Sequence, residues 1–205
     1  MIGPIIRPDQ WRGMKWKNGL GFTHEVVVVG TGHSSDPGFL WRVSVATISA
    51  DGPFSTYPGY DRTITLLDGA GMTLDLGERG RVVIDEQHRP FSFSGDWHVQ
   101  AALLAGPTRD LNIISKRSEV SQQTTLLEIG HDPANLGRSG SELFVFVVAG
   151  SVRVRAGAGS GVSLDAHDSM QLCAEEDTLP VVERVGGFAR CIVAEFQQLH
   201  LASRL

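Results

Sequence analysis

The sequence predicts an all-β protein made of two similar halves. Three observations predict it. Short apolar runs with period-two alternation recur along the chain, turns rich in Gly, Pro and Asp separate them, and no helical period of useful length appears. A chain of 205 residues buries about 70% of its unfolded surface and suits one large β domain or two small ones. Hydrophobic residues at 41% and charged residues at 20% are ordinary for a globular protein. A formal net charge of -5 offers no basic footprint for nucleic acid or an anionic membrane.

The first set of strands is Thr23 to Val29, Trp41 to Ile48, Arg62 to Leu67, Met72 to Leu76, Val82 to Ile84, Pro90 to Phe93, His98 to Leu104 and Leu111 to Ser115. Each combines β-branched or aromatic residues with alternation and is bounded by turn residues. The second set is Thr124 to Ile129, Glu142 to Val148, Ser151 to Arg155, Ser169 to Leu172, Leu179 to Val185 and Arg190 to Phe196. Gly32 to Gly38, Asp132 to Gly140 and Gly157 to Gly161 read as surface loops, and Pro8 to Trp11 as a short helical turn. Cys173 and Cys191 lie far apart in apolar surroundings, which predicts two buried free thiols in a reducing compartment. MIGPIIRPDQW has no basic segment leading into an apolar run. No stretch reaches the roughly 18 apolar residues of a membrane helix. The expectation is a soluble, cytoplasmic protein.

An internal repeat organises the two sets. ITLLDGAGMTLDL (Ile64 to Leu76) matches FVFVVAGSVRVRA (Phe144 to Ala156) as strand, tight glycine turn, strand, and each copy is followed by an aspartate turn, at Asp96 or Asp168. Two copies joined near Ser118 to Gln123 make two half-sandwiches or barrels, the arrangement of a bicupin, with domains at 1-120 and 121-205. One large sandwich has the same strand count.

Candidate site residues follow from shared strand faces. In Trp41 to Ile48 the bulky Trp41, Val43 and Val45 point one way, and Arg42, Ser44, Ala46 and Ile48 the other. Arg62, Ile64 and Leu66 share a face of the next strand. Thr23 pairs with Glu25, and Asp110 with Asn112, at i, i+2. An antiparallel strand always has a wet face, but here each polar pair gives way to Ala, Ile or Val, as a small polar patch within an apolar wall would. An enclosed guanidinium needs a carboxylate or an anionic ligand. Lys17 and Asn18, in the turn WKNGLG, are placed at the pocket mouth, and Pro53, Phe54, Tyr57, Pro58 and Tyr60 supply aromatic walls. With Lys17, Arg42 and Arg62 against Glu25 and Asp110, one positive charge is left over, which a monocarboxylate matches.

WKNGLGFTHEVVV, then WRVSVATISADGPFSTYPGYDRTITLLDGAGM, then FSGDWHVQAALLAGPTRDLNII resemble the HutD/Ves family, bicupins linked with bacterial histidine utilisation. The match is close over the first half and in outline over the second. Where the family shows WKNGGGxTRE this chain has Leu20 and His24, so the roles of that glycine and arginine do not carry over. The resemblance implies a protein that binds a histidine-pathway intermediate such as urocanate or formylglutamate and restrains pathway expression, more a sensor than an enzyme. In that reading Lys17, Asn18, Thr23, Glu25, Arg42, Ser44, Arg62, Asp110 and Asn112 bind a small carboxylate, and no cofactor is needed.

A metal-dependent cupin enzyme needs a His-x-His pair and a downstream carboxylate. None of the seven histidines has another two residues away, so no metal is expected. No G-x-S-x-G elbow, phosphate loop or dinucleotide fingerprint is present. A metal-independent enzyme acting on a small acid, with Glu25 or Asp110 as base, remains the alternative. No nucleic-acid or membrane partner is expected, and homodimerisation is left open.

Overall fold

The computed structural model describes residues 2–16, 19–30, 38–157, 159, 161–175 and 178–199. In chain order its strands are β1 (Ile2–Ile6), β2 (Arg12–Lys15), β3 (Gly21–Gly30), β4 (Phe39–Ile48), β5 (Gly52–Pro53), β6 (Tyr60–Asp68), β7 (Met72–Asp75), β8 (Arg81–Ile84), β9 (Pro90–Ser94), β10 (Gln100–Leu103) and β11 (Thr108–Lys116). They continue as β12 (Val120–Ile129), β13 (Ala134–Asn135), β14 (Glu142–Ala149), β15 (Val152–Arg155), β16 (Val162–Leu164), β17 (Ser169–Cys173), β18 (Val181–Arg184) and β19 (Ala189–Gln198). Two 3-10 turns, Pro8–Gln10 and Gly77–Arg79, are the helical elements among the described residues, and none is long and apolar enough to cross a membrane.

Two compact units result. One holds residues 11–120, as a six-stranded sheet β2-β3-β4-β11-β6-β9 and a four-stranded sheet β5-β10-β7-β8. The other joins residues 2–10 to the described residues of 121–199, as a five-stranded sheet β1-β17-β14-β19-β12 and a four-stranded sheet β13-β18-β15-β16. The units divide near residue 120, and the N-terminal ten residues fall in the second unit. β1 pairs antiparallel with β17, Ile5 opposite Met170 and Ile6 opposite Ser169. It is an edge strand, a place that tolerates Pro4, which has no N–H to give to a ladder.

Each unit is a sandwich with its core between its own two sheets. In the first, Ile64 and Leu66 of β6 and Phe93 of β9 pack on Met72 and Leu74 of β7 and Ala101 of β10. In the second, Val145, Met170 and Val193 pack on Val152, Val154 and Val182. The strand order is repeated: β9-β6-β11-β4 and β8-β7-β10-β5 in one unit match β17-β14-β19-β12 and β16-β15-β18-β13 in the other. This is the bicupin arrangement.

The glycine turns that carry the repeat in the sequence hold equivalent positions. Gly69 and Gly150 sit at φ 91° and 74°, in the left-handed region that favours glycine. A Cβ on Gly69 would meet the Pro107 carbonyl at 2.6 Å, and one on Gly150 the Phe188 carbonyl at 2.1 Å. His88 and His167, the non-glycine residues with positive φ among those described, both donate a backbone N–H, to Leu66 and Val147 respectively, at 2.8 Å. The aspartates do not correspond as expected. Asp96 follows β9, whereas Asp168 precedes β17, and Asp85 is the first-half residue in the turn equivalent to Asp165. Cys191 is buried, but Cys173, at the end of β17, is exposed, so only one thiol is a core residue.

Candidate functional site

The six-stranded sheet brings the polar strand positions onto one interior face. Its ladders place Thr23, Ala46, Asp110 and Leu66 in one row and Glu25, Ser44, Asn112 and Ile64 in the next. A third row sets Arg42 and Arg62 on either side of Ile114, two strand spacings or about 10 Å apart. Trp41, Val43, Val45, Leu111 and Ile113 take the opposite face and are also buried. The arginines therefore do not lie on a solvated sheet surface.

The interior face bounds a cavity of about 400 Å³. Of the residues singled out in the sequence, Thr23, Arg42, Ser44, Arg62, Asp110 and Asn112 line it, as do Pro53, Phe54 and Tyr57 of the aromatic loop. Three expectations differ. Glu25 is not among the lining residues; its Oε2 lies 4.0 Å from Arg42 Nε. Tyr60 turns into a cluster with Phe39 and Ile114, its hydroxyl donating to the Phe39 carbonyl at 3.1 Å, and Pro58 is exposed. Lys17 and Asn18 lie outside the described residues.

Met14, Lys15, Trp16 and Ser55 also line the cavity and are absent from the sequence-based set. β2 and the residue after it bring in the first three, and β2 is too short to show alternation. The Trp16 indole donates to Thr23 Oγ1 at 2.7 Å, which the spacing of the two residues across a hairpin turn permits. Leu20, at the family's glycine position, lies over Gly52, and His24 packs against Phe22 in a tilted arrangement with ring centres 4.6 Å apart, away from the cavity face.

Hydrogen bonds fix the polar groups. Arg62 donates from Nη2 to Asn112 Oδ1 at 2.7 Å and from Nη1 to the Ser55 carbonyl at 3.1 Å. Its guanidinium carbon is 5.1 Å from the ring centres of Phe54 and Phe93 and 5.6 Å from that of Tyr57, so three aromatic faces surround the cation. Arg42 donates to Ser44 Oγ at 3.3 Å and to the Tyr57 hydroxyl at 3.4 Å. The Asn112 amide donates to Asp110 Oδ1, while Asp110 Oδ2 is buried without a hydrogen-bond partner.

Burial dominates the electrostatics. It pushes the Asp110 carboxyl up to about 7, against the charge of Arg62 and the Asn112 hydrogen bond. It also lowers the Arg62 guanidinium from its ordinary value, opposed by Tyr57 and Asp110 and reinforced by Arg42. Arginine remains charged. The site thus holds two enclosed guanidinium groups: Arg62 donates to the neutral oxygens of Asn112 and Ser55, and Arg42 donates to Ser44 and Tyr57 and lies 4.0 Å from the Glu25 carboxylate. Among the described residues no group of three or more His, Cys, Asp or Glu side chains is placed to hold a metal ion.

Positions equivalent in the two repeats show why only the first sandwich has this site. Asp110 pairs with Leu66, Asn112 with Ile64 and Arg62 with Ile114 in the first, where Cys191 pairs with Val147, Val193 with Val145 and Leu143 with Glu195 in the second. Arg62, Asp110 and Asn112 are thereby replaced by Leu143, Cys191 and Val193, which belong to an apolar core.

A profile described as HutD matches residues 9–188. The chain belongs to the HutD family. The "uncharacterized 21.2 kDa protein in hutC 3'region" of Pseudomonas putida is 33% identical over 176 residues, 85% of this chain and 89% of that one. The crystal structure of HutD from Pseudomonas fluorescens superposes with a TM-score of 0.81 at 30% identity, covering 96% of this chain and 98% of that one. A conserved protein of unknown function from Pseudomonas aeruginosa superposes with a TM-score of 0.86 at 28% identity, covering 95% and 98%. Membership in the HutD family links the chain by name to histidine utilisation.

Proposed function

We propose that this HutD-family protein binds a small carboxylate in its first sandwich and acts as an accessory or regulatory protein of histidine utilisation, sensing an intermediate such as urocanate or formylglutamate. One observation carries the reading. Arg42 and Arg62 are both buried and face one cavity, and the acid nearest to them inside it, Asp110, is drawn toward its neutral form by burial. Enclosed positive charge therefore exceeds enclosed negative charge, and an anion of matching size relieves the imbalance. The cavity volume suits a molecule of about ten heavy atoms, at the small end of ligand sites. Ser44, Thr23 and Asn112 would read its remaining polar groups.

The test is a thermal-shift titration of the purified protein with urocanate and with formylglutamate, with product analysis of the same mixtures. A rise in melting temperature with at least one compound and no product is the expected result. No rise with either overturns the choice of ligand.

A second reading, a metal-independent enzyme, is favoured by Asp110 itself. A buried carboxyl titrating near neutrality beside a cavity has the protonation behaviour of a general acid or base. New product in the same incubation, lost in Asp110→Asn, would decide for it.

A further inference from the structure

Among the described residues lining the cavity, Asp110 Oδ2 is a buried side-chain oxygen with no hydrogen-bond partner, on a side chain with no solvent exposure. The other carboxyl oxygen accepts from Asn112, and Asn112 in turn accepts from Arg62. Arg62, Asn112 and Asp110 thus form a chain in which a single cation serves the internal carboxyl through an amide. A carboxylate entering the cavity would meet Arg62, which lines it and whose buried Nε has no hydrogen-bond partner. Two carboxylates would then depend on the same guanidinium.

We infer that the cavity takes up a proton together with its anionic ligand, the entering carboxylate displacing Asp110 as the negative partner of Arg62 and leaving Asp110 as the neutral acid. The inference rests on the carboxylate-binding reading above and adds its regulation. The proton comes from solvent and goes to Asp110, where Oδ2 is the oxygen free to carry it. The other charged and titratable groups around the cavity are Arg42 on β4, Glu25 beside it on β3, Lys15 at the end of β2 and Tyr57 in the loop after β5. Glu25 is held against Arg42, so the pair contributes little net charge. Like charges that cannot both stay ionised in one low-dielectric site share a proton, which is why a second carboxylate raises the affinity of the first for hydrogen ion. The position of the Asp110 carboxyl near neutrality makes this coupling visible at ordinary pH. Binding is then strongest on the acid side and weakens as the pH rises, and an organism acidifying its cytoplasm would load the site.

The test uses formate and benzoate, whose own carboxyl groups stay ionised throughout the range, with the full-length protein. Calorimetric titration in two buffers of different ionisation enthalpy, from about pH 5.5 to about pH 8.5, gives affinity and proton uptake together. The expected result is uptake approaching one proton per ligand above about pH 7, with affinity falling up to tenfold per pH unit there. Uptake should vanish at the acid end, and Asp110→Asn should bind with pH-independent affinity. Binding in the parent without proton uptake at about pH 8.5 would overturn the inference while leaving the carboxylate reading intact. No binding of either anion at the acid end would overturn both. Because uptake is measured on the parent, the result stands even where the variant does not fold.

Discussion

Asp110 and Cys191 occupy the same place in the two sandwiches. Asp110 pairs across its sheet with Leu66 and Cys191 with Val147, core residues at matching places ahead of the equivalent glycine turns. Burial raises both groups, the carboxyl to about 7 and the thiol to about 12. In the second sandwich the position is an inert part of an apolar core. In the first it is a titratable group at a cavity, kept in place by Asn112 and Arg62.

That equivalence predicts how the polar chain responds to substitution. Asn112→Val alone leaves Arg62 without its side-chain acceptor and Asp110 without its donor, and should cost on the order of 3 to 5 kcal/mol. The triple variant Arg62→Leu, Asp110→Cys, Asn112→Val installs the lining of the second sandwich. It should recover most of that loss, because removing a buried polar network whole is far less costly than breaking it. Urea unfolding of the two variants checks this, and a triple variant no more stable than the single one would refute the network.

Asp110 also gives stability a pH dependence. Its folded-state pKa lies above the ordinary aspartate value, so its contribution is fully present below about 4 and is lost as the pH rises to about 7. Relative to Asp110→Asn, the parent should lose on the order of 1 kcal/mol per pH unit across that window. Parallel unfolding curves at about pH 5 and about pH 7.5 measure the difference; equal changes in parent and variant would contradict it.

The repeat can be tested at its turns. Gly69→Ala and Gly150→Ala each force a Cβ against a backbone carbonyl at a left-handed φ, and each should cost roughly 1 to 3 kcal/mol. Gly130→Ala, whose Cβ would meet nothing within 4 Å, should stay within about 0.5 kcal/mol. Tolerance at either Gly69 or Gly150 would argue against a shared turn.

Much of this was legible in the chain because period-two alternation is set by the backbone itself. It assigns Arg42, Ser44, Asp110 and Asn112 to one face before any contact is known. The glycines of LLDG and VVAG were legible because left-handed turns leave a residue type behind. What escaped was set by distant partners. β1 takes its strand form from β17, more than 160 positions away, at an edge that its proline does not disqualify. β5 and β13 have two residues each, too few to alternate. Met14, Lys15, Trp16 and the Ser55 carbonyl reach the cavity through chain reversals, which carry no period. Glu25 shares a row with Ser44 and Asn112 but is not among the lining residues, because alternation gives only the face and not the reach of a side chain.

The central claim is that the Arg62 guanidinium grips an anion. Arg62→Met keeps most of the stem volume and removes the fork, while Arg138→Met alters an exposed arginine whose Nε lies 3.1 Å from Glu195 Oε1. The deciding measurement is the melting-temperature gain of parent, Arg62→Met and Arg138→Met on titration with urocanate, formylglutamate and benzoate near pH 6. The account predicts a gain in the parent and in Arg138→Met and none in a folded Arg62→Met. A gain in Arg62→Met equal to that of the parent would contradict it.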